Sequence, residues 1–188
     1  MNREVVIAEA LALLDEAGLD GVSTRRLATR LNVEQPSLYW HFRTKKDLFA
    51  AMAQAAMAPH ATAPLPMPGD DWREWFSDNT RSFRRTLLMH RDGARLHAGS
   101  TPVNDLDRIR HKMDFLVASG VPEHDAGMAM LAAGRFTVGS VLEEQADAGA
   151  DLPPDVPVID HESAFEAGLA LILNGLVHAV GDGAAQAY

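Results

Sequence analysis

The chain reads as an all-α protein, a small N-terminal three-helix helix-turn-helix module followed by a larger helical body. Three observations predict this. Apolar residues recur at three- and four-residue spacing through most of the 188 residues. Asn, Ser, Thr or Asp stands ahead of most stripes and Gly or Pro behind several of them, as helix starts and stops require. No stretch alternates with the two-residue period of a strand, and no internal repeat stands out.

Composition narrows the class further. At 47% hydrophobic and 23% charged the chain can bury a sizeable core. It has no cysteine, which excludes disulfides and thiolate metal sites and fits a cytoplasmic protein. Met-Asn-Arg-Glu is not followed by a signal-peptide h-region. Arg135 and Asn174 interrupt the longest apolar runs, so no membrane-spanning segment is expected. The net charge of -9 is unevenly placed: residues 1–48 hold seven basic and seven acidic residues, and the rest of the chain supplies the whole excess. An acidic body repels polyanions, so a nucleic acid would have to meet a locally basic segment.

The elements follow in order. Asn2 suits the cap of a first helix whose stripe is Val6, Ala10, Leu13, Leu14 and Ala17, with Gly18 at its left-handed end. Ser23 or Thr24 caps a second helix to about Leu31, Asn32-Val33-Glu34 turns, and Pro36 suits the first position of a third. Thr44 caps the next helix, with Asp47 in its first turn and Leu48, Phe49, Met52, Ala55 and Ala56 inward. Five prolines and glycines between residues 59 and 69 mark a boundary. The predicted layout is a helix-turn-helix module over 1–46, a connecting helix and Pro-rich linker over 47–69, and a body over 70–188.

In the body, Trp72, Phe76, Asn79, Phe83 and Leu87 form one face, with Asn79 a polar interruption. Residues 91–102 read as a helical turn within a loop. Leu106, Ile109, Met113 and Leu116 predict a further helix stopped by Gly120 and Pro122. Residues 125–145 are rich in Gly, Ala and Ser with Arg135 as the one charge between Asp125 and Glu143, which predicts a helix buried on most sides. Asp160 caps a last helix with Phe165, Leu169, Ile172, Leu176 and Val180 inward, and 181–188 reads as a loose tail.

Residues 23–46 carry the chemistry. Six Lys/Arg face one acid, Glu34, across two short helices and a tight turn. In a helix-turn-helix the second helix enters the major groove with its N-terminal residues at base edges. Here that helix starts at Gln35-Pro36-Ser37. Gln35 can pair with adenine and Arg25 with guanine, while Pro36 and Tyr39 can pack on thymine methyls. Thr24, Ser37, Trp40, His41 and Lys45 suit contacts to the DNA backbone. Leu38 and Phe42, four apart, read as core, so Tyr39 and Trp40 must turn elsewhere. In the body, Asn79, His97 and Glu143 stand out as polar groups in apolar surroundings, as a small-molecule pocket needs. Each also has a plain structural reading: a satisfied backbone partner, a surface loop residue and a first solvated turn.

The run from Val22 to Leu48 resembles the DNA-binding domain of the TetR family, and within it the tetracycline-responsive repressors. The resemblance continues through Trp72, Asn79, Ser82-Phe83-Arg84, His90-Arg91-Asp92-Gly93-Ala94 and residues 136–143. It implies a homodimer with a four-helix interface, a two-fold symmetric operator on double-stranded DNA, and release by a small molecule held in the body. Asn79, Phe83, His97, Pro102 and Glu143 match the drug- and magnesium-binding pattern, and Ser100 replaces a threonine. Other positions depart: Ala61 (next to His60) for a drug-contacting histidine, Thr101 for an arginine, Lys112 for a glutamine and Arg135 for a histidine. The loop before the last helix is also shorter, so a helix closing over the drug is expected to be missing.

No obligatory cofactor is expected. Magnesium enters only with a tetracycline-like effector, on His97 directly and on Glu143 through water. A different effector, anionic or aromatic, fits the departures as well. The competing readings are a small helical enzyme using His97 and Glu143, for which no nucleophile–base motif is present, and a TetR-like regulator acting as activator.

Overall fold

A computed structural model describes residues 2–100, 105–148 and 159–185, and among these every regular element is a helix. They form two compact units, Met1–Thr62 with Arg85–Val103 and Ala63–Arg84 with Asn104–Tyr188.

The first unit holds α1 (Arg3–Gly21), α2 (Thr24–Arg30), a 3₁₀ helix (Gln35–Trp40), α3 (Lys45–Ala56), α4 (Ala58–Ala61) and α6 (Gly93–Ala98). Asn2 caps α1 by accepting from the Val5 N–H at 2.9 Å, and Val6, Ala10, Leu13 and Leu14 are buried as their spacing requires. Gly18, at φ +70°, kinks the helix rather than ending it, and one further turn follows to Gly21. That kink lets the Leu19 N–H reach the Asp92 carboxylate at 2.7 Å.

Ser23 caps α2, and the helix closes on two reversed bonds, Val33 N–H to the Ala28 carbonyl and Asn32 N–H to Thr29. Asn32 takes the left-handed conformation (φ 52°) that this closure needs, and Asn tolerates it better than most residues. Thr44 and Asp47 form a reciprocal capping box at the start of α3. Leu48, Met52 and Ala56 face inward, together with Ala51 and Ala53; Ala55, expected on this face, is only half-buried. The core joins Leu27, Ala28, Leu38 and Phe42 to these residues and to Leu96 of α6.

The second unit is built on α5 (Trp72–Leu88, which crosses the unit boundary), α7 (Leu106–Ala118), α8 (Glu123–Asp147) and α9 (His161–Ala185). Trp72 and Phe76 are buried, while Asn79 and Phe83 are half-buried. Trp75 meets Phe115 edge-on at 5.3 Å, and Phe136 of α8 stacks on Phe165 of α9 at 5.4 Å. Gly168 makes that stack fit, since a Cβ there would lie 2.3 Å from the Phe136 ring. Arg84 is buried among these elements, bonded to Glu144 at 2.8 Å and to Glu162, with its guanidinium 4.9 Å over Phe165. Its Nε alone lacks a partner.

Four expectations change. Leu106 and Ile109 are exposed (67% and 45%), because α7 turns Phe115 and Leu116 into the core instead. Within one chain α8 buries only Ala126, Ala133, Thr137 and Val141, leaving Met128 and Leu131 open, so it is not covered on most sides. The tail forms part of α9 as far as Ala185. The span His161–Gly181 is, by length and composition, apolar enough to cross a membrane (mean hydropathy 1.5), because one Asn174 amide does not offset the Leu, Ile and Val around it. One face of α9 packs inward through Phe165, Leu169 and Leu176.

Candidate nucleic-acid interface

The helix-turn-helix geometry sorts the basic segment into groups that are spent inside the protein and groups that are presented outward. Leu38 and Phe42 are 2% and 5% exposed and anchor the 3₁₀ helix to the core. That forces Tyr39 (48%) and Trp40 (90%) into solvent. The two rings stand side by side as an exposed aromatic pair. The reading element is six residues of 3₁₀ rather than α-helix, closed by Ser37 N–H to Glu34 and His41 N–H to Leu38. Pro36 sits in its first turn, where a missing donor does no harm.

Three of the expected DNA-facing residues come together. The Gln35 Nε2 donates to Thr24 Oγ1 at 2.9 Å and lies 3.5 Å from the Tyr39 hydroxyl. Thr24 and Tyr39 thereby fix which way the Gln35 amide faces, leaving its Oε1 for a base edge. Arg25 and Pro36 are exposed, Ser37 is half-buried, and His41 is half-buried against Phe42. Lys45 is exposed with its ammonium 4.9 Å over the Phe49 ring.

Arg30 is different. It reaches back to Glu9 and Glu16 of α1, both at 2.6 Å, so its charge is satisfied within the protein. Arg26 donates to the Gly21 carbonyl at 2.9 Å. Arg25, Arg43, Lys45 and Lys46 carry the outward positive charge.

A second set of contacts escaped the sequence reading because its partners lie more than seventy residues apart. Asp15 accepts from the Arg91 N–H at 3.0 Å and bonds the His90 ring at 3.0 Å, Asp92 accepts from Leu19, and Asp20 pairs with Arg95 at 3.2 Å. Arg95 holds the Asp20 carboxyl below its usual range. The 91–98 segment, expected as a turn in a loop, is thus fastened to α1 of the reading head.

The expected effector residues fall in both units. His97 and Ser100 belong to the first. Burial lowers the proton affinity of His97, and the Ser100 hydroxyl donates to the Leu96 carbonyl at 2.7 Å. Asn79, Phe83, Lys112, Arg135 and Glu143 belong to the second. There the Lys112 ammonium donates to Asn79 Oδ1 at 2.7 Å, and burial with the nearby Arg108 charge pushes its pKa down to about 8. Arg135 and Glu143 are exposed. Thr101 and Pro102, and the 149–158 loop, lie outside the described residues. A groove of about 330 Å³ on this unit is lined by Pro66, Pro68, His111, Asp114 and Phe115, and none of the expected effector residues lines it. Among the described residues no three His, Asp or Glu side chains gather to hold a cation unaided.

The fold and this exposed, pre-ordered reading surface define the class: a helix-turn-helix DNA-binding regulator with a helical body. Residues 6–52 match the family model "Bacterial regulatory proteins, tetR family", and residues 65–153 match "Tetracyclin repressor-like, C-terminal domain". The chain is 45% identical to the class A tetracycline repressor protein from transposon 1721 of Escherichia coli, over 94% of this chain and 90% of that one. It is 41% identical to the Escherichia coli class C repressor, with the same coverage. Among solved structures it is similar to a TetR-family transcriptional regulator from Streptomyces coelicolor (74% identity, TM-score 0.78, 95% and 99% of the two chains). It is also similar to the class A TetR in complex with 5a,6-anhydrotetracycline and magnesium (42%, TM-score 0.77, 93% and 96%). The chain belongs to the TetR family of bacterial transcriptional regulators.

Proposed function

We propose that this chain is a ligand-responsive transcriptional repressor that binds a palindromic operator as a homodimer and leaves it when a small molecule enters the body. The observation that carries the reading is the surface at Thr24, Gln35, Tyr39 and Trp40, where apolar and hydrogen-bonding groups stand beside the exposed cations Arg25, Arg43, Lys45 and Lys46. Arg25 and Gln35 read bases, Pro36 and Tyr39 pack on thymine methyls, and Ser37, Trp40, His41 and Lys45 hold the backbone.

Homodimerisation is supported by the open apolar side chains of the last two helices, Met128 and Leu131 on α8 and Leu171 (74% exposed) on α9. A helix pair that is half-covered in one chain needs a partner surface. The setting is cytoplasmic, where the operator is.

Effector binding is assigned to Asn79, Phe83, His97, Ser100, Thr101, Pro102, Lys112, Arg135 and Glu143. The class A TetR named above holds 5a,6-anhydrotetracycline and magnesium, and that ligand class with magnesium is one candidate here. His97 is kept neutral by burial, which suits it as a metal ligand, but the cation would arrive with the chelating drug. Because 91–98 is bonded to Asp15, Leu19 and Asp20, a shift of that segment is passed to the reading head. Linkage requires operator and effector to weaken each other by the same factor.

The test is substitution of Asn79 or His97 by Ala, followed by operator binding and release by anhydrotetracycline with magnesium. Binding is expected to persist and release to be lost. Loss of operator binding in these variants removes the effector assignment, and conversion of a small molecule by the purified protein that depends on Glu143 would favour an enzyme instead.

A further inference from the structure

Helix α7 carries three basic residues at alternate positions, and they are treated differently. Arg110 is exposed and pairs with Asp107 at 3.0 Å. Arg108 and Lys112, four residues apart on one face, are half-buried, and among the described residues neither has a carboxylate within ion-pair distance. Arg108 donates to the Ala63 carbonyl, and Lys112 to the neutral Asn79 amide at 2.7 Å.

The neighbouring acids are occupied or turned out. On α5, Asp78 pairs with Arg81; on α8, Glu144 pairs with Arg84 and Glu143 is exposed. His111 gives its Nε2 to the Pro66 carbonyl. Like charges at this spacing repel, and partial burial of an ammonium without a counter-ion is costly. Both effects act on Lys112 and favour its neutral form. A chain that keeps two such cations beside an amide has built half of an ion pair.

The hydrogen-bond roles sharpen this. Lysine only donates, so the Asn79 oxygen must be the atom turned to it, which leaves the two Asn79 Nδ2–H donors and the remaining ammonium N–H groups for an acceptor. Phe83 follows one turn along α5 and is half-buried. The cluster is rich in donors and lacks negative charge.

We propose that the effector of this protein is an aromatic or alicyclic carboxylate, whose charged oxygen binds the Lys112 ammonium with the Asn79 amide donating beside it. The inference rests on the effector reading above and names the ligand class for it.

The test uses a matched pair of probes, 2-naphthoate and its neutral isostere 2-naphthamide, titrated calorimetrically into the full-length dimer. Naphthoate should bind at least about ten-fold more tightly, the scale of a hydrogen bond to a charged partner. The chain has three lysines, Lys45, Lys46 and Lys112. The Lys112 resonance is therefore assignable by substitution, and its pKa should rise when naphthoate is bound. Lys112→Met should bind the two probes equally and keep the wild-type helical content by circular dichroism. Equal binding of both by the wild-type chain, no binding of either, or a preference that survives Lys112→Met would overturn the proposal. Naphthoate binding at Lys112 without operator release would keep the anion site and remove the effector reading. Release by anhydrotetracycline and magnesium with no carboxylate preference would do the reverse.

Discussion

Thr24 holds Gln35, and removing that hold should weaken operator binding without removing any group that reads a base. Thr24→Val deletes the hydroxyl that accepts from Gln35 Nε2 at 2.9 Å and keeps nearly the same volume. A neutral hydrogen bond of this kind contributes about 0.5–1.5 kcal/mol, so affinity for an operator selected in vitro should fall by roughly 2- to 10-fold. Gln35→Ala, which removes the reading amide, should cost about 1–3 kcal/mol and relax the choice of base at one position. The two losses should not add. Once Gln35 is gone Thr24 has nothing to orient, and the double variant should resemble Gln35→Ala, with a coupling of about 1 kcal/mol.

The assay is fluorescence anisotropy of labelled operator at fixed salt, repeated across a salt series. The slope of log affinity against log salt should be the same for wild type and Thr24→Val, since no cation is lost. Additivity within about 0.3 kcal/mol would show that Thr24 and Gln35 act independently and would refute the pre-ordering argument.

Lysine charges should divide from the paired arginine in the same salt series. Lys45→Gln is expected to lower the slope by about 1, whereas Arg30→Gln should leave it nearly unchanged because Arg30 is held by Glu9 and Glu16. Stability should rise with pH above about 8. Lys112 has its folded pKa depressed to about 8 from an ordinary value of 10.5, so between these values the unfolded chain binds more protons. The penalty is fully present below that window, and Lys112→Met should flatten the rise in urea titrations from pH 7 to 10. Gly168→Ala should destabilise the second unit by about 1–2 kcal/mol: the Cβ meets the Phe136 ring at 2.3 Å, an overpacking loss larger than the helix-propensity gain. A higher urea midpoint for that variant would contradict it.

Sequence periodicity and capping chemistry determined most of the fold. The Asn2, Ser23, Thr44 and Asp160 caps all form, and the stripes of α1, α5 and α9 are inward at most positions, because these depend on residues within one or two turns. The reading surface was legible for the same reason: Leu38 and Phe42, four apart, could both be core only if Tyr39 and Trp40 were not.

Only the tertiary structure decided how charge and burial were shared. It spent Arg30 on α1, fastened 91–98 to Asp15 and Asp20, exposed Leu106 and Ile109, and set Lys112 against the neutral Asn79 amide. Each of these pairs residues distant in the chain, or depends on which neighbour covers a face, and no local pattern encodes that. Periodicity tells which side of a helix is apolar; the partner that meets it is chosen by the packing of the whole.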